Sequence, residues 1–450
     1  MSHSQTKTRN MTEGNIWMHL ILFALPLLIG NLFQQLYNTV DSIVVGNFVS
    51  KTALAAVGST DNIINTIIGF FSGLATGAGV VISHSFGSGD KKALHRAVHT
   101  TIMLTFVLSI FFTIAGLLLA PLFLKLMATP EDVLPEASAY LRIYFAGVSG
   151  LMIYNMGSGI LRAVGDSRRP LYILIVCAVT NIVLDLVFVV YLGAGVEGVA
   201  YATIISQWIS AILVLVILTK EQSDYRLVWK DLRIDKRTTL SILRIGFPAG
   251  LQMAITAFSN VFVQSYINQF GSSCMAGWTT YGKLDKFCLL PIQSLGLSIT
   301  TFVGQNLGAK KMERARKGTA YAVILSIGAA LILMMPVMAA APMLATLFTN
   351  DPEVIAYGVW FIRLMMPFYV AISFNQILGN ALRGAGNSVV PMILMMSSFI
   401  VFRQIYLFAI SHIYNTITSV ALGYPFGWIL CSVLLMIYYW KVGLTVKKEV

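Results

Sequence analysis

Two aspartates stand in stretches of this chain that are otherwise apolar: Asp41 in QQLYNTVDSIVVG and Asp185 in TNIVLDLVF. A carboxylate surrounded by hydrocarbon is costly, so each needs a partner or a purpose. Asn181 precedes Asp185 by one helical turn and shares its face. At about 1.5 Å of rise per residue, Asp185 lies roughly 22 Å from the inner end of its span; Asp41, late in an outward-running span, and Thr203, early in an inward-running one, are expected at a similar level. Asn155 counts out somewhat deeper. Carboxylates, amides and a hydroxyl at one level make an oxygen-rich pocket, which suits a hard monovalent cation or a proton. Na+ would be held by Asp41, Asp185 and Asn181. Alternatively, low dielectric and mutual repulsion keep one of the two acids neutral, and the pair carries protons. The bland competitor is a buried polar network that only joins helices.

The elements that must position these residues are membrane spans. Mean hydropathy is +0.76, with 57% hydrophobic and only 11% charged residues, far from soluble averages. Apolar stretches long enough to cross about 30 Å of hydrocarbon are expected at 16–43, 53–80, 98–125, 137–160, 170–192, 196–219, 240–267, 276–302, 319–347, 356–379, 389–411 and 417–441. The fold expected is therefore all-α and integral to a membrane, with twelve transmembrane helices.

The chain also repeats itself. LRAVGDSRRP at Leu161–Pro170 returns as LRGAGNSVVP at Leu382–Pro391, a shift of 221 residues that also carries Arg142 onto Arg363. One further residue of shift sets Pro26 on Pro248. Each half holds six spans, an even number, so the halves enter the membrane in the same orientation. That predicts two six-helix bundles, 1–225 and 239–450, joined by a linker at 226–238 and related by a pseudo-twofold axis along the membrane normal, the plan of a transporter. Under the shift Asp41 falls near Val263 and Asp185 on Tyr406, so the acidic pair belongs to the first half alone.

A net charge of +12 would suggest nucleic acid in a soluble protein. Here its placement argues otherwise: with the N-terminus inside, 23 of the 31 Lys and Arg fall in inner segments. That is the positive-inside pattern, which places both termini in the cytoplasm and the basic loops against anionic membrane lipid. The four cysteines have no metal-ligand spacing and read as packing residues. No GxxxxGK[ST] loop or HExxH is present, so neither direct ATP coupling nor zinc proteolysis is expected. The Asp pair taken alone would fit an intramembrane protease, but a tandem repeat has no role in such an enzyme. Lys283, Asp285 and Lys286 in YGKLDKF form either a self-compensating cluster or part of a cavity. Arg403 either snorkels or lines that cavity, and Asp61, near a helix end, reads as structural.

Jointly, the first-span segment LPLLIGNLFQQLYNTVDSIVVG, the paired LRAVGDSRRP and LRGAGNSVVP loops, and the basic GSGDKKALHRA and GAKKMERARKG loops resemble the multidrug and toxic compound extrusion (MATE) transporters over the whole length of the chain. The one-sided acidic pair is similar to the DinF-like bacterial branch. The resemblance implies a cation or proton site at Asp41, Asn181, Asp185 and Thr203, with Asn155 joining from the fourth span. It departs from the NorM-like branch, because Gly250–Ile267 and Phe361–Gly379 contain no acidic residue. Gln34, Tyr37, Asn38, Lys283 and Asp285 are candidates for the substrate cavity. The expected function is secondary active export of drugs or toxic organic compounds, coupled to H+ or Na+ with no cofactor, by a monomer in the bacterial cytoplasmic membrane rather than by an enzyme. A lipid-linked oligosaccharide flippase is the alternative, and a passive channel is a more distant one.

Overall fold

The computed structural model describes residues 9–126 and 129–445. Its described residues form two halves of six long helices each. The first half is α1 (Ile16–Phe48), α2 (Lys51–Ser88), α3 (Lys91–Leu126), α4 (Leu134–Ala163), α5 (Arg168–Tyr191) and α6 (Gly195–Lys220). The second is α7 (Lys236–Asn268), α8 (Ser272–Gly308), α9 (Met312–Ala339), α10 (Pro352–Gly384), α11 (Val389–Ile413) and α12 (Ile417–Val442). Ten of the twelve are long and apolar enough to cross a membrane, which makes this a multi-pass membrane protein. The other two, α4 and α7, are diluted by glycine and hydroxyl residues. In α4 the reason is plain: it packs against α2, α3 and α6, so its surface meets helices rather than lipid.

The chain divides into two compact units whose boundaries cut through helices. Of the described residues, unit 1 contains Arg9, Asn10 and those between Pro26 and Gly250; unit 2 contains Met11–Leu25 and those from Leu251 onward. The first turns of α1 therefore belong to unit 2, where Trp17 stacks on Tyr321 at 4.4 Å and the Ser298 hydroxyl donates to the Leu20 carbonyl at 3.2 Å. Conversely, the first half of α7 belongs to unit 1. Both crossings occur at or beside the repeat-matched prolines Pro26 and Pro248, where a missing N–H weakens the helix.

In unit 1 the start of α7 lies against α2 through two facing Gly-x-x-x-Gly motifs, Gly73/Gly77 and Gly246/Gly250. A Cβ on Gly73 would stand 2.1 Å from the Gly250 nitrogen, and one on Gly77 2.5 Å from the Gly246 nitrogen. Backbone touches backbone here, which only glycine permits and which replaces the hydrophobic drive that lipid removes.

The repeated LRAVGDSRRP and LRGAGNSVVP segments encode the same connection twice. In the first, Gly165 adopts φ +88°, its N–H donates to Arg162 O, and Asp166 N–H donates to Leu161 O. In the second, Gly386 adopts φ +85°, with Asn387 N–H donating to Leu382 O. Each is a Schellman stop. Asp166 then accepts from Arg168 N and Arg169 N, opening the next helix. A Cβ on Gly165 would also stand 2.2 Å from the Arg9 carbonyl. Gly165→Ala is therefore expected to cost at least about 2 kcal/mol, read as a lowered melting temperature in detergent.

The linker is held rather than loose. Tyr225 and Leu227 are buried, and Leu227 N–H donates to Leu218 O at 2.9 Å. Arg169 at the head of α5 bridges Asp166 at 3.1 Å and Glu221, just past α6. Burial works against the Glu221 charge, yet the Arg169 hydrogen bond holds its carboxyl below the usual glutamate range, whereas burial raises that of Asp166. A carboxyl held low contributes stability above its unfolded value and loses it as pH falls through the folded one. Glu221→Gln is thus expected to melt earlier than wild type at neutral pH, with the gap closing as the pH drops below the glutamate range. A gap independent of pH would assign the loss to packing.

Candidate functional site

In unit 1, α5 presents Asn181 and Asp185 one turn apart, 1% and 0% exposed. Asp41 on α1 meets Asp185 carboxyl to carboxyl, within hydrogen-bonding reach. Two carboxyls this close inside an apolar bundle repel when both are ionised, a repulsion that a shared proton or a bound cation would relieve. The Asn181 amide offers both a carbonyl oxygen and an NH2 group, neither with a hydrogen-bond partner in the structure. A buried polar group in that condition calls for an explanation, and an occupant bound between it and the carboxyls is one. The donor set fits either occupant: carboxylate and amide oxygens suit Na+, and the same oxygens suit a shared proton.

Side chains of α1, α4, α5 and α6 surround the pair. Tyr37, one turn before Asp41, is hydrogen-bonded with Gln34 and interacts with Asp41, Cys177 and Tyr144. Cys177 on α5 hydrogen-bonds with Ser206 and Ser210 of α6 and senses Asp41. The Ser206 hydroxyl donates to the Thr203 carbonyl at 2.8 Å, and the Thr203 hydroxyl donates to Val199 O at 2.9 Å. Thr203 is therefore buried on the same helix, three residues from the Cys177 contact, with its hydroxyl oxygen able to accept. Asn155 is half-buried and its amide donates to Leu151 O on its own helix at 2.9 Å. Its neighbour Tyr154 donates to Pro170 O at 3.3 Å, at the opening of α5 and fifteen residues before Asp185. Asn38 is exposed.

Sequence reasoning missed Cys177, Ser206 and Ser210. Their only signal was spacing: Ser206 and Ser210 lie four apart on one face of α6, three and seven residues beyond Thr203. Asp61's side chain lies outside the described residues.

Unit 2 treats its own charges differently. Asp285 on α8 accepts from the Tyr281 hydroxyl at 3.1 Å and from the Tyr369 hydroxyl. Lys286 lies near enough to act on it, but Lys283 turns away and stands 5.1 Å from the Phe348 ring centroid. The three residues of YGKLDKF thus do not form one self-compensating cluster; an acid clamped by two phenols and a lysine on an aromatic face have separate surroundings.

His95, His99 and Asp231 bring three metal-type ligand atoms within 4.8 Å of one another. However, His99 Nε2 accepts from Val228 N–H at 2.9 Å and Nδ1 faces His95 O at 2.7 Å. Both ring nitrogens are already committed to backbone, and the group fastens the linker to α3.

Comparison with known proteins bears on the family and on the repeat. The MatE family model matches twice, at residues 26–187 and 248–408, which reproduces the internal shift at both ends. The probable multidrug resistance protein YpnP of Bacillus subtilis (strain 168) is 31% identical over 88% of this chain and 89% of its own. YoeA of the same strain, also a probable multidrug resistance protein, is 28% identical over 96% of both. A solved outward-facing multidrug resistance MATE transporter of the MOP superfamily superposes with TM-score 0.90 at 24% identity, over 97% of this chain and 98% of that one, and so shares the fold. Matched across most of its length and in both halves, the chain belongs to the MATE family of transporters.

Proposed function

We propose that the protein is a secondary active multidrug exporter, driven by inward H+ or Na+ through the Asp41–Asp185 pair. The observation that carries this reading is the buried Asp185 facing Asp41 beside an Asn181 amide with no hydrogen-bond partner. Asp41, Asp185, Asn181 and Thr203 hold the ion. Tyr37, which interacts with Asp41, and Gln34, hydrogen-bonded to Tyr37, transmit its occupancy to the substrate cavity, to which Asn38 also contributes. Neutralising the pair releases the repulsion between α1 and α5, and α1 bends at Pro26, where its two parts already belong to different units. The two bundles, 1–225 and 239–450 with the linker at 226–238, then exchange access by rocking about a pseudo-twofold axis.

The protein works as a monomer in the bacterial cytoplasmic membrane with both termini in the cytoplasm, where its basic loops meet anionic lipid. The relatives' names favour drug export over the flippase reading. The ion is identified by binding to the detergent-purified protein: 22Na+ titration and, separately, proton uptake followed with a pH indicator. One of the two should give about one ion per chain in wild type and none in Asp41→Asn; neither signal in wild type would overturn the assignment.

A further inference from the structure

The repeat places a second polar site in unit 2, and its charge is opposite. α11 is the repeat counterpart of α5, and each carries a π-helical stretch, Leu186–Tyr191 in one and Ser397–Phe402 in the other. Such stretches mark functional sites more often than their rarity would suggest. In α5 the residue immediately before the stretch is Asp185; in α11 the residue immediately after it is Arg403. On the partner helix the shift sets Tyr37 and Asn38 of α1 on Ser259 and Asn260 of α7. Arg403 uses these two: its Nη2 donates to Ser259 Oγ at 2.8 Å and to Asn260 Oδ1 at 3.1 Å. The same helix pair that presents carboxyls in one half therefore presents a guanidinium in the other.

This guanidinium is only 3% exposed. Its π-face lies 4.5 Å from the Tyr424 ring, and its Nε–H is buried with no acceptor. Two neutral oxygens and a ring do not balance a full positive charge in an apolar bundle. The acid that shares Tyr424 with it as a neighbour, Asp285, is clamped by Tyr281 and Tyr369. Among the described residues no carboxylate pairs with Arg403, and its planar donors match carboxylate and phosphate oxygens. Asn260, which is exposed, links the guanidinium to the surface of the unit by a single hydrogen bond.

We propose that Arg403, with Ser259, Asn260 and Tyr424, is a recognition site for an oxyanion carried by the exported compound, so that zwitterionic and anionic amphiphiles are substrates. This rests on the exporter reading. Cationic export alone gives no reason for the site.

The probes are a rhodamine carboxylic acid and its ethyl ester, which share one ring system and differ by a single carboxylate. Both are tested for gradient-driven export from proteoliposomes and for equilibrium binding to the purified protein by fluorescence polarisation. The variants are Arg403→Met, Arg403→Lys and Asn260→Asp, the last placing a carboxylate beside the guanidinium from within the chain. Arg403→Met and Asn260→Asp are expected to lower the acid-to-ester ratio at least tenfold in both readouts, with Arg403→Lys between them and wild type. A ratio within twofold of wild type in Asn260→Asp and in whichever Arg403 variants fold would overturn the proposal, as would wild type binding the ester but not the acid. Absence of export of either probe by wild type would count against the exporter reading, while the binding ratio would still decide on Arg403.

Discussion

Replacing Asp185 by Asn is expected to abolish gradient-driven export, by a hundredfold or more, while leaving the fold as stable as wild type or more so. A hundredfold corresponds to about 2.7 kcal/mol, well within what loss of an ion site can produce. The stability half of the expectation follows from desolvation. Asp185 is completely buried and faces another carboxyl, so the ionised state is costly to fold around. An amide of nearly the same shape removes that cost and can still hydrogen-bond with Asp41. Residues that exist to hold helices together behave in the opposite way: removing them lowers the melting temperature first. Export and melting temperature measured on the same preparation therefore separate an ion site from a structural network. A variant that unfolds yet transports normally while folded would make the pair structural.

The second large effect is expected at the facing glycines of α2 and α7. Gly77→Leu would push four carbons into the Gly246 backbone, already 2.5 Å from where its Cβ would stand. Neither side can yield, because the contacts are main chain rather than flexible side chain. The cost is expected at about 4 kcal/mol or more, and at that level unit 1 would lose the first half of α7. Gly328→Ala in α9 is the control, since nothing lies within 4 Å of its added Cβ. It should be neutral or stabilising by up to about 1 kcal/mol. Expression level and melting temperature of the two variants check this directly, and equal behaviour would remove the packing argument.

These residues also show what the sequence could and could not convey. Asp41 and Asp185 were legible because charge inside an apolar span is an exception that demands a reason, and Asn181 because it stands one turn from Asp185. The repeated LRAVGDSRRP segment was legible because glycine and an Asx cap at fixed spacing specify one turn, here formed twice. The two Gly-x-x-x-Gly motifs were equally visible but gave no partner, because close approach depends on which helices meet. Nothing local indicates that Trp17 and Leu20 serve unit 2 while Phe247 serves unit 1, where it packs on Phe70 at 5.8 Å. Cys177, Ser206 and Ser210 were missed because small polar residues are ordinary on packed helix faces. Arg403 could be read two ways until Ser259, Asn260 and Tyr424 were placed around it.

The central claim is that an ion gradient acting through Asp41 and Asp185 drives export. Its most direct test is dye export by the purified protein in liposomes, with a proton gradient and a Na+ gradient imposed separately and Asp41→Asn run beside wild type. The expected result is export driven by one of the two gradients in wild type and lost in the variant. Dye movement that ignores both gradients, or that survives in Asp41→Asn, would contradict it.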